Sequence, residues 1–494
     1  MSYRYEKTEQ GQDLVISGWE KGIGDSALTG HQQMQNVDIW TMPGVLMTGW
    51  KSTLASSTTS LVQWFRRDPL NSGEVYGITT AGTLYKGTGT IPITWSALTG
   101  VPSNNGRGLG IWKGYLILPR NTSVEASLLP VSSGATWTAI SGITLTSTIW
   151  NPVYVGLNTD HCFIGNTYKV AQIIETSGST FNPATGATYT ATSNALDLPS
   201  YYNIQTIEGL GNNIYLGTFQ GASAYTRMSA VIFPWDKVSN SYDNPIISTG
   251  TGVHQLKTIG SQMYTWIGNR SDMSVSNGTS TNLLKKFYNI SFPNAASLTD
   301  ISPDAIDALN DQEILIGIGR TTGNVSPLGV YSLRDGVHFL KNLPSTGSST
   351  NIQIGAILSL DAQRYIFSWL DDNSVTYGID LVGNSGRYSD YTTQVDTDLI
   401  PVATYIYPAN FGEVEFKLAS PLTTGQGIKL WYRKNLNDSF TLIDTWDFST
   451  IGARMSFEGT ASITDAQWIQ FRVQLASNTS SDTSPQLTEI RLRK

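Results

Sequence analysis

The sequence predicts an all-β chain: a seven-bladed β-propeller over 57–395, a jelly-roll-like β-sandwich over 396–494 and an extended N-terminal arm over 1–56. Three observations carry this. A short turn followed at once by an apolar run recurs seven times, at roughly the 40- to 52-residue spacing of one four-stranded blade. Charged residues make up only 14% of the chain, while Gly, Ser, Thr and aromatic residues are abundant, as suits turn-rich β-structure. Beyond residue 396 the repeat gives way to clean two-residue alternation.

Residues 1–56 lie outside the repeat. Glycines at 18, 22, 24, 30, 44 and 49 point to tight turns in an extended chain, not to a helix. Trp19, Ile23, Trp40 and Trp50 are costly to leave in water and are the candidate assembly contacts. Two dockings are open to the arm: on its own domain, as the strand that closes the ring, or on a neighbouring subunit.

The seven turns fall at Ser72-Gly73, Lys113-Gly114, Asp160, Gly211-Asn212, Gly260-Ser261, Asn310-Asp311 and Asp361. Apolar runs follow each, as in Tyr115-Leu-Ile-Leu118 and Asn213-Ile-Tyr-Leu216, and in most units another precedes it, as in Leu61-Val-Gln-Trp-Phe65. Each unit thus reads as strand, turn, strand and a more variable outer pair. Two near copies, Thr94-Trp-Ser-Ala-Leu-Thr-Gly100 and Thr136-Trp-Thr-Ala-Ile-Ser-Gly142, lie 42 residues apart and are expected to pack one blade on the next. The Ser/Thr/Asn/Gly-rich stretches 172–200 and 219–250 read as surface excursions and contact loops. The polar run Tyr391-Thr-Thr-Gln-Val-Asp-Thr-Asp398 reads as the domain boundary, and at least six short alternating strands follow it.

Chemistry is sparse. The net charge of -7 argues against a surface built to grip phosphate. A single cysteine, Cys162, precludes an intrachain disulfide, and its apolar run makes it a buried thiol. The four histidines are dispersed without metal-ligand spacing, so no metal or cofactor is expected. The N-terminus lacks the apolar stretch of a secretory signal, and no run approaches a membrane span, so synthesis in the cytoplasm is expected. Glycoside hydrolysis would need two placed carboxylates. The available pairs, Asp304 with Asp307 and Asp371 with Asp372, sit in turn contexts where such side chains serve the backbone. Pro130-Val-Ser-Ser-Gly-Ala-Thr-Trp137 looks like a decayed Asp-box, a turn staple of sialidase-like propellers that is not itself catalytic. Trp431, Tyr432, Trp446 and Trp468 could offer aromatic platforms to a sugar, although Trp431 and Trp468 lie in alternating strands that favour a core role.

Gly18-Trp19 with Gly22-Ile23 and Asp25-Ser26, then Met34-Gln-Asn-Val-Asp-Ile39 and Pro43-Gly44, resembles the opening of a group of tailed-bacteriophage virion proteins. These are propeller proteins of the tail, similar in layout to podovirus tail nozzle and hub proteins, in which a sandwich follows the propeller. The resemblance implies a non-enzymatic structural protein of the virion tail, a homo-oligomeric ring that is hexameric by the nozzle layout. It would touch other tail or adaptor proteins and line a channel that DNA transits without specific binding. The alternatives are a receptor- or glycan-binding tail protein that meets host-surface glycan and, below it, a glycoside hydrolase.

Overall fold

Strand pairing organises this chain from end to end. The computed structural model describes residues 3–8, 11–23, 31–71, 73–89, 93–146, 150–156, 160–220, 230–248, 252–267, 272–286, 299–310, 312–320, 328–346, 348, 350–403, 408–478 and 483–493. Among them the helical pieces are three single turns, Trp19–Lys21, Gly186–Thr188 and Phe448–Ile451. The molecule is all-β and propeller-like.

Among the described residues, seven groups of four antiparallel strands succeed one another. Units 1 to 6 span 62–97, 110–139, 153–197, 202–248, 253–286 and 306–342. Unit 7 takes three strands from 352–387 and its fourth, Trp50–Ser57, from the N-terminal stretch. Units 2, 4, 5 and 7 each open on a hairpin whose turn, at Lys113-Gly114, Gly211-Asn212, Gly260-Ser261 or Asp361, belongs to the sequence repeat. In unit 2 that turn is Lys113-Gly114, both with positive φ (51° and 80°), the geometry that lets a two-residue turn follow the right-handed twist of its strands. In units 1 and 7 the second strand is fully enclosed: every residue of Val75–Thr79 and of Tyr365–Asp371 is buried. Continuous burial follows from cover on both faces, whereas the outermost strand Thr94–Ala97 is largely exposed.

The units are stitched by side chains that satisfy a neighbour's backbone. Gln205 of unit 4 donates to the His254 carbonyl of unit 5 (3.0 Å), and Thr258 of unit 5 donates back to the Gly209 carbonyl (2.6 Å). The first strand of unit 7, Ile352–Ser359, packs against the first strand of unit 1, Val62–Arg67. There the Ser368 hydroxyl donates to the Val62 carbonyl. The two Thr-Trp copies perform the same task one unit apart. Gly134 N–H donates to the Thr99 carbonyl (2.9 Å) and Thr99 N–H to Ser133 Oγ (3.2 Å), which ties unit 1 to unit 2. In the second copy Ser141 N–H donates to the Tyr189 hydroxyl (3.0 Å) and Thr144 N–H to Ser193 Oγ (2.7 Å), which ties unit 2 to unit 3.

Beyond the units lie two further sheets. One holds Tyr3–Thr8, Gly11–Ile16, Leu487–Arg493, Ala409–Leu418 and Ser456–Ala466. The other runs Thr393–Asp396, Trp468–Ala476, Gly427–Arg433 and Thr441–Asp447, and strand Gln33–Gln35 joins it to strand Val337–Asn342 of unit 6. Apolar residues of both sheets, such as Val414, Phe416, Phe471 and Val473, belong to one cluster, which continues through Met34 into Phe339 and Tyr331 of unit 6.

Three expectations change. The polar run read as the domain boundary contains an interior strand, Thr393–Asp396, with Thr393 and Val395 fully buried. Within that strand Asp396 holds both arms of Arg472 (2.8 Å each), and Thr393 Oγ1 donates to the Asn36 carbonyl (2.9 Å). The stretch 172–200 carries the end of one strand, Lys169–Glu175, and all of another, Tyr189–Asp197, around a largely exposed excursion over 176–188, while part of the second excursion, 221–229, lies outside the described residues. Finally, the N-terminal stretch is no projecting arm. Its pieces enter both C-terminal sheets and complete unit 7, so of its two possible dockings the own-chain one is what the fold contains.

Candidate functional site

Two places gather polar and aromatic groups: the clasp made by the N-terminal stretch, and a cavity where the first strands of the units converge.

The clasp begins with two left-handed glycines, Gly18 (φ 81°) and Gly22 (φ 63°). A Cβ at Gly22 would sit 2.6 Å from the His338 carbonyl oxygen, so the chain there passes unit 6 closely enough for Ile23 N–H to bond that same oxygen (2.8 Å). Trp19 is wholly buried; its Nε1 donates to the Thr488 carbonyl (2.9 Å) and its ring stacks on His31 (5.4 Å between centroids). Trp19 and Ile23 are therefore not available to a neighbour: both are spent inside their own chain. Asp25 and Ser26 lie outside the described residues.

Trp40 and Trp50 stay half-buried. Trp40 Nε1 donates to Ser332 Oγ (2.9 Å), and the Arg334 guanidinium lies over its ring at 5.4 Å. Arg387 lies 4.6 Å over Trp50 and pairs with Asp38 (3.1 Å). Burial pushes the Asp38 carboxyl up, but Arg387, Lys341 and bonds from Thr41 outweigh it and hold the pKa below the usual value. Trp40 and Trp50 thus line a pocket of about 210 Å³ beside Asp38, Glu313, Arg334 and Lys341. Of the four candidate contacts, these two remain reachable.

The second place is a cavity of about 380 Å³ lined by residues of every unit except unit 6, and by Pro303 and Asp304 just ahead of it. Arg66 of unit 1 pairs with Asp304 (2.9 Å), whose carboxylate also accepts Phe65 N–H (2.9 Å). Lys257 of unit 5 pairs with Asp307 of unit 6 (3.0 Å), which in turn accepts Ser359 N–H of unit 7 (2.7 Å). Asp307 together with other carboxylates raises the Lys257 pKa against the opposing effect of burial. Asp304 and Asp307 do serve backbone groups, as their turn context suggested, but each also joins separate units. Asp371 accepts Asn373 N–H and Asp372 accepts from Gln353 (both 3.0 Å), so that pair is held in its local turn.

Glu208 of unit 4 is different. Among the described residues no cation lies within ion-pair distance of it. Burial pushes its pKa up to about 7 against the pull of Lys257 and amide bonds from Gly209 and Thr258. Nearby Tyr154 is pushed up to about 12, by burial first and by Glu208 second. Arg66, Glu208 and Lys257 were not singled out from sequence because they lie in three units, far apart along the chain. The signal was there in weak form: each is a charged residue in the later half of a first strand, Val62–Arg67, Tyr202–Leu210 or Val253–Ile259.

Cys162 is wholly buried, and burial raises its thiol pKa far above the usual value. No group of three metal-ligating side chains occurs among the described residues, and no helix among them is long and apolar enough to cross a membrane. Trp446 is a core residue, Trp431 is half-buried with Nε1 bonded to Gln474 (2.9 Å), and Trp468 is 45% exposed, contrary to the core role expected of it. Its strand neighbour Pro401 belongs to a two-residue edge strand that leaves the ring uncovered.

No family model matches the sequence, and no curated protein matches it. Among solved structures, the chain is similar to the WD40 β-propeller domain of Doa1 at 10% identity and TM-score 0.44, over 68% of this chain and 97% of that one. It is similar to the Cps50 (Swd1) β-propeller domain of Myceliophteria thermophila at 9% identity and TM-score 0.45, over 67% and 99%. A third similarity, to U3-55K, has 9% identity and TM-score 0.46, over 67% and 98%. The propeller-like description rests on the chain's own strand pairing.

Proposed function

We propose that the seven units are the blades of one closed ring, that the two C-terminal sheets form a sandwich, and that the protein is a structural, non-enzymatic component of a bacteriophage tail. In this reading copies of the chain assemble into a ring, hexameric by the nozzle layout, which touches neighbouring tail proteins. Its localisation would be the virion tail.

One observation carries the reading. The residues that bear the resemblance to phage tail proteins, Gly18-Trp19, Gly22-Ile23, Met34–Ile39 and Pro43-Gly44, include those that lock unit 6 to the C-terminal sheets. A segment with that role would be shared by proteins built on the same two-part layout, which is what the resemblance implies. Two further facts favour a scaffold. The carboxylates Asp304 and Asp307 are engaged by cations and backbone amides, so this pair is not free to act as acid and base in glycoside hydrolysis. The axial cavity, about 380 Å³, is far too small for a duplex whose major groove alone is about 12 Å wide, so DNA would pass between copies and not through one. The contacts expected of Trp19 and Ile23 move to exposed apolar side chains such as Tyr201, Val238 and Ile247 around unit 4, and to Trp40 and Trp50. Exposed apolar residues are the usual material of an interface core.

Native mass spectrometry tests the ring. A closed oligomer of one size is the expected result; monomers at every concentration, with or without a lysate of phage tail proteins, would refute it. Exposed Trp468 favours the second reading, a glycan-binding tail protein. Saturable binding to host-surface glycan that Trp468→Ala removes would establish that reading over a purely structural one.

A further inference from the structure

The axial cavity holds one buried polar group that its own protein leaves unanswered, beside a carboxylate, Glu208, that accepts the backbone amides of Gly209 and Thr258. Glu208 has no ion-pair partner among the described residues, and Gln255 Oε1, on a residue only 4% exposed, has no hydrogen-bond partner. Both residues line the cavity, as do the aromatic side chains of Trp64 and Tyr154. A buried acceptor left without a donor costs roughly 1–3 kcal/mol, and more if it is charged. Arrangements of this kind persist when something else supplies the donor.

The charges decide what that donor is. Arg66 is neutralised by Asp304 and Lys257 by Asp307, each at about hydrogen-bond distance (2.9 and 3.0 Å). Arg67 is turned to the rim, where it donates to the Leu360 carbonyl (2.6 Å). What remains inside is the Glu208 carboxylate, one amide acceptor and the rings of Tyr154 and Trp64, the latter already carrying the Arg66 guanidinium at 5.5 Å. An anion would meet Glu208 and find both interior cations occupied. A cationic donor meets a carboxylate, an amide oxygen and π-faces that attract positive charge. The volume of about 380 Å³ lies at the lower end of small-ligand sites.

We propose that the axial cavity is a binding site for an alkylammonium group, either a free amine or the lysine side chain of a neighbouring protein, held by Glu208 and Gln255 against Trp64 and Tyr154. This site is independent of the tail reading. The pKa of Glu208, pushed up to about 7, adds a pH signature: the site is half-discharged near neutrality and gains charge above it. The other charged or titratable groups facing Glu208 are Lys257, paired with Asp307, Arg66, paired with Asp304, and the Tyr154 phenol, whose pKa burial raises.

The test is calorimetric titration of the full chain with three probes: cadaverine, Nα-acetyl-lysine methylamide and butyrate. Cadaverine or the lysine amide should bind, at least fivefold more tightly at pH 8 than at pH 6, and butyrate should not. Preference for cadaverine identifies a free amine as occupant; equal or tighter binding of the lysine amide identifies a side chain. Glu208→Gln should weaken amine binding at least tenfold and abolish its pH dependence, while Glu458→Gln on the exposed surface changes neither. If Glu208→Gln fails to fold, Gln255→Leu and the wild-type pH series carry the same test. Butyrate binding, amine binding indifferent to pH and to both substitutions, or no amine binding at millimolar concentration would overturn the proposal.

Discussion

Replacing Asn36 by alanine should destabilise the chain out of proportion to the atoms removed. Asn36 is 1% exposed and adopts a left-handed backbone (φ 56°), a conformation that asparagine tolerates and alanine resists. Its Oδ1 accepts Leu343 N–H (3.1 Å) and its Nδ2 donates to the Thr392 carbonyl (3.3 Å). Its own N–H donates to the Leu340 carbonyl (2.9 Å), and its carbonyl accepts from Gly49 N–H (2.7 Å) and Thr393 Oγ1 (2.9 Å). One residue thus joins unit 6, the strand entering unit 7 and the first strand of the C-terminal sheet. Alanine keeps the backbone bonds but orphans the buried Leu343 amide, at about 1–3 kcal/mol. It adds roughly 1–2 kcal/mol for the left-handed conformation, so the total is about 2–5 kcal/mol. Asn36→Gly loses the same side-chain bonds without the conformational strain and should be milder than alanine by about 1 kcal/mol. Urea unfolding followed by tryptophan fluorescence measures both, with hydrogen exchange at Leu343 as the local readout. A change below about 0.5 kcal/mol in Asn36→Ala, typical of an inert surface site, would refute the role assigned to this residue.

Further outcomes follow from the same geometry. Gly22→Ala forces a Cβ to within 2.6 Å of the His338 carbonyl oxygen at positive φ, and thermal unfolding should register a loss of about 2–4 kcal/mol. Asp38→Ala removes the carboxylate paired with buried Arg387 beside Trp50, and breaking this buried pair should cost about 3–5 kcal/mol in the same assay. His31 is wholly buried, and desolvation lowers its pKa from 6.5 to about 4. The unfolded chain therefore takes up this proton first: the stability is fully present above pH 6.5 and falls as pH drops towards 4, by about 3 kcal/mol. His31→Phe, which keeps the stack on Trp19, should flatten that acid limb in urea titrations at pH 4 to 7; an unchanged slope would count against it. Glu208 works in the opposite sense, since its carboxyl is raised from 4.5 to about 7 and its contribution is lost as pH rises through 7. Glu208→Gln should accordingly gain stability relative to wild type between pH 6 and 8.

Much of the architecture was legible because it repeats. Turns at Lys113-Gly114, Gly211-Asn212 and Gly260-Ser261 mark hairpins by residue type alone, and the apolar runs after them are the doubly covered strands. The Thr-Trp pair was legible too, since a repeated segment performs a repeated task. What remained hidden depended on pairing across hundreds of residues. Thr393-Gln-Val-Asp396 reads as part of a polar boundary until Arg472 and Asn36 are brought beside it. Trp50–Ser57 has no feature that announces its place beside Thr376–Arg387. The axial cavity was invisible for the same reason: Arg66, Glu208 and Lys257 meet only where three separate units converge.

The account turns on the N-terminal stretch as an internal clasp, and deletion of residues 1–57 tests this most directly. The deletion removes the fourth strand of unit 7, the strand that joins unit 6 to the C-terminal sheet, and the Trp19 anchor. Limited proteolysis with mass spectrometry, read beside circular dichroism, should find unit 7 and the C-terminal sheets cleaved early and cooperative unfolding lost. A truncated chain that stays protease-resistant, unfolds as cooperatively as wild type and merely fails to assemble would contradict the account and return this stretch to the role of an arm for a neighbouring subunit.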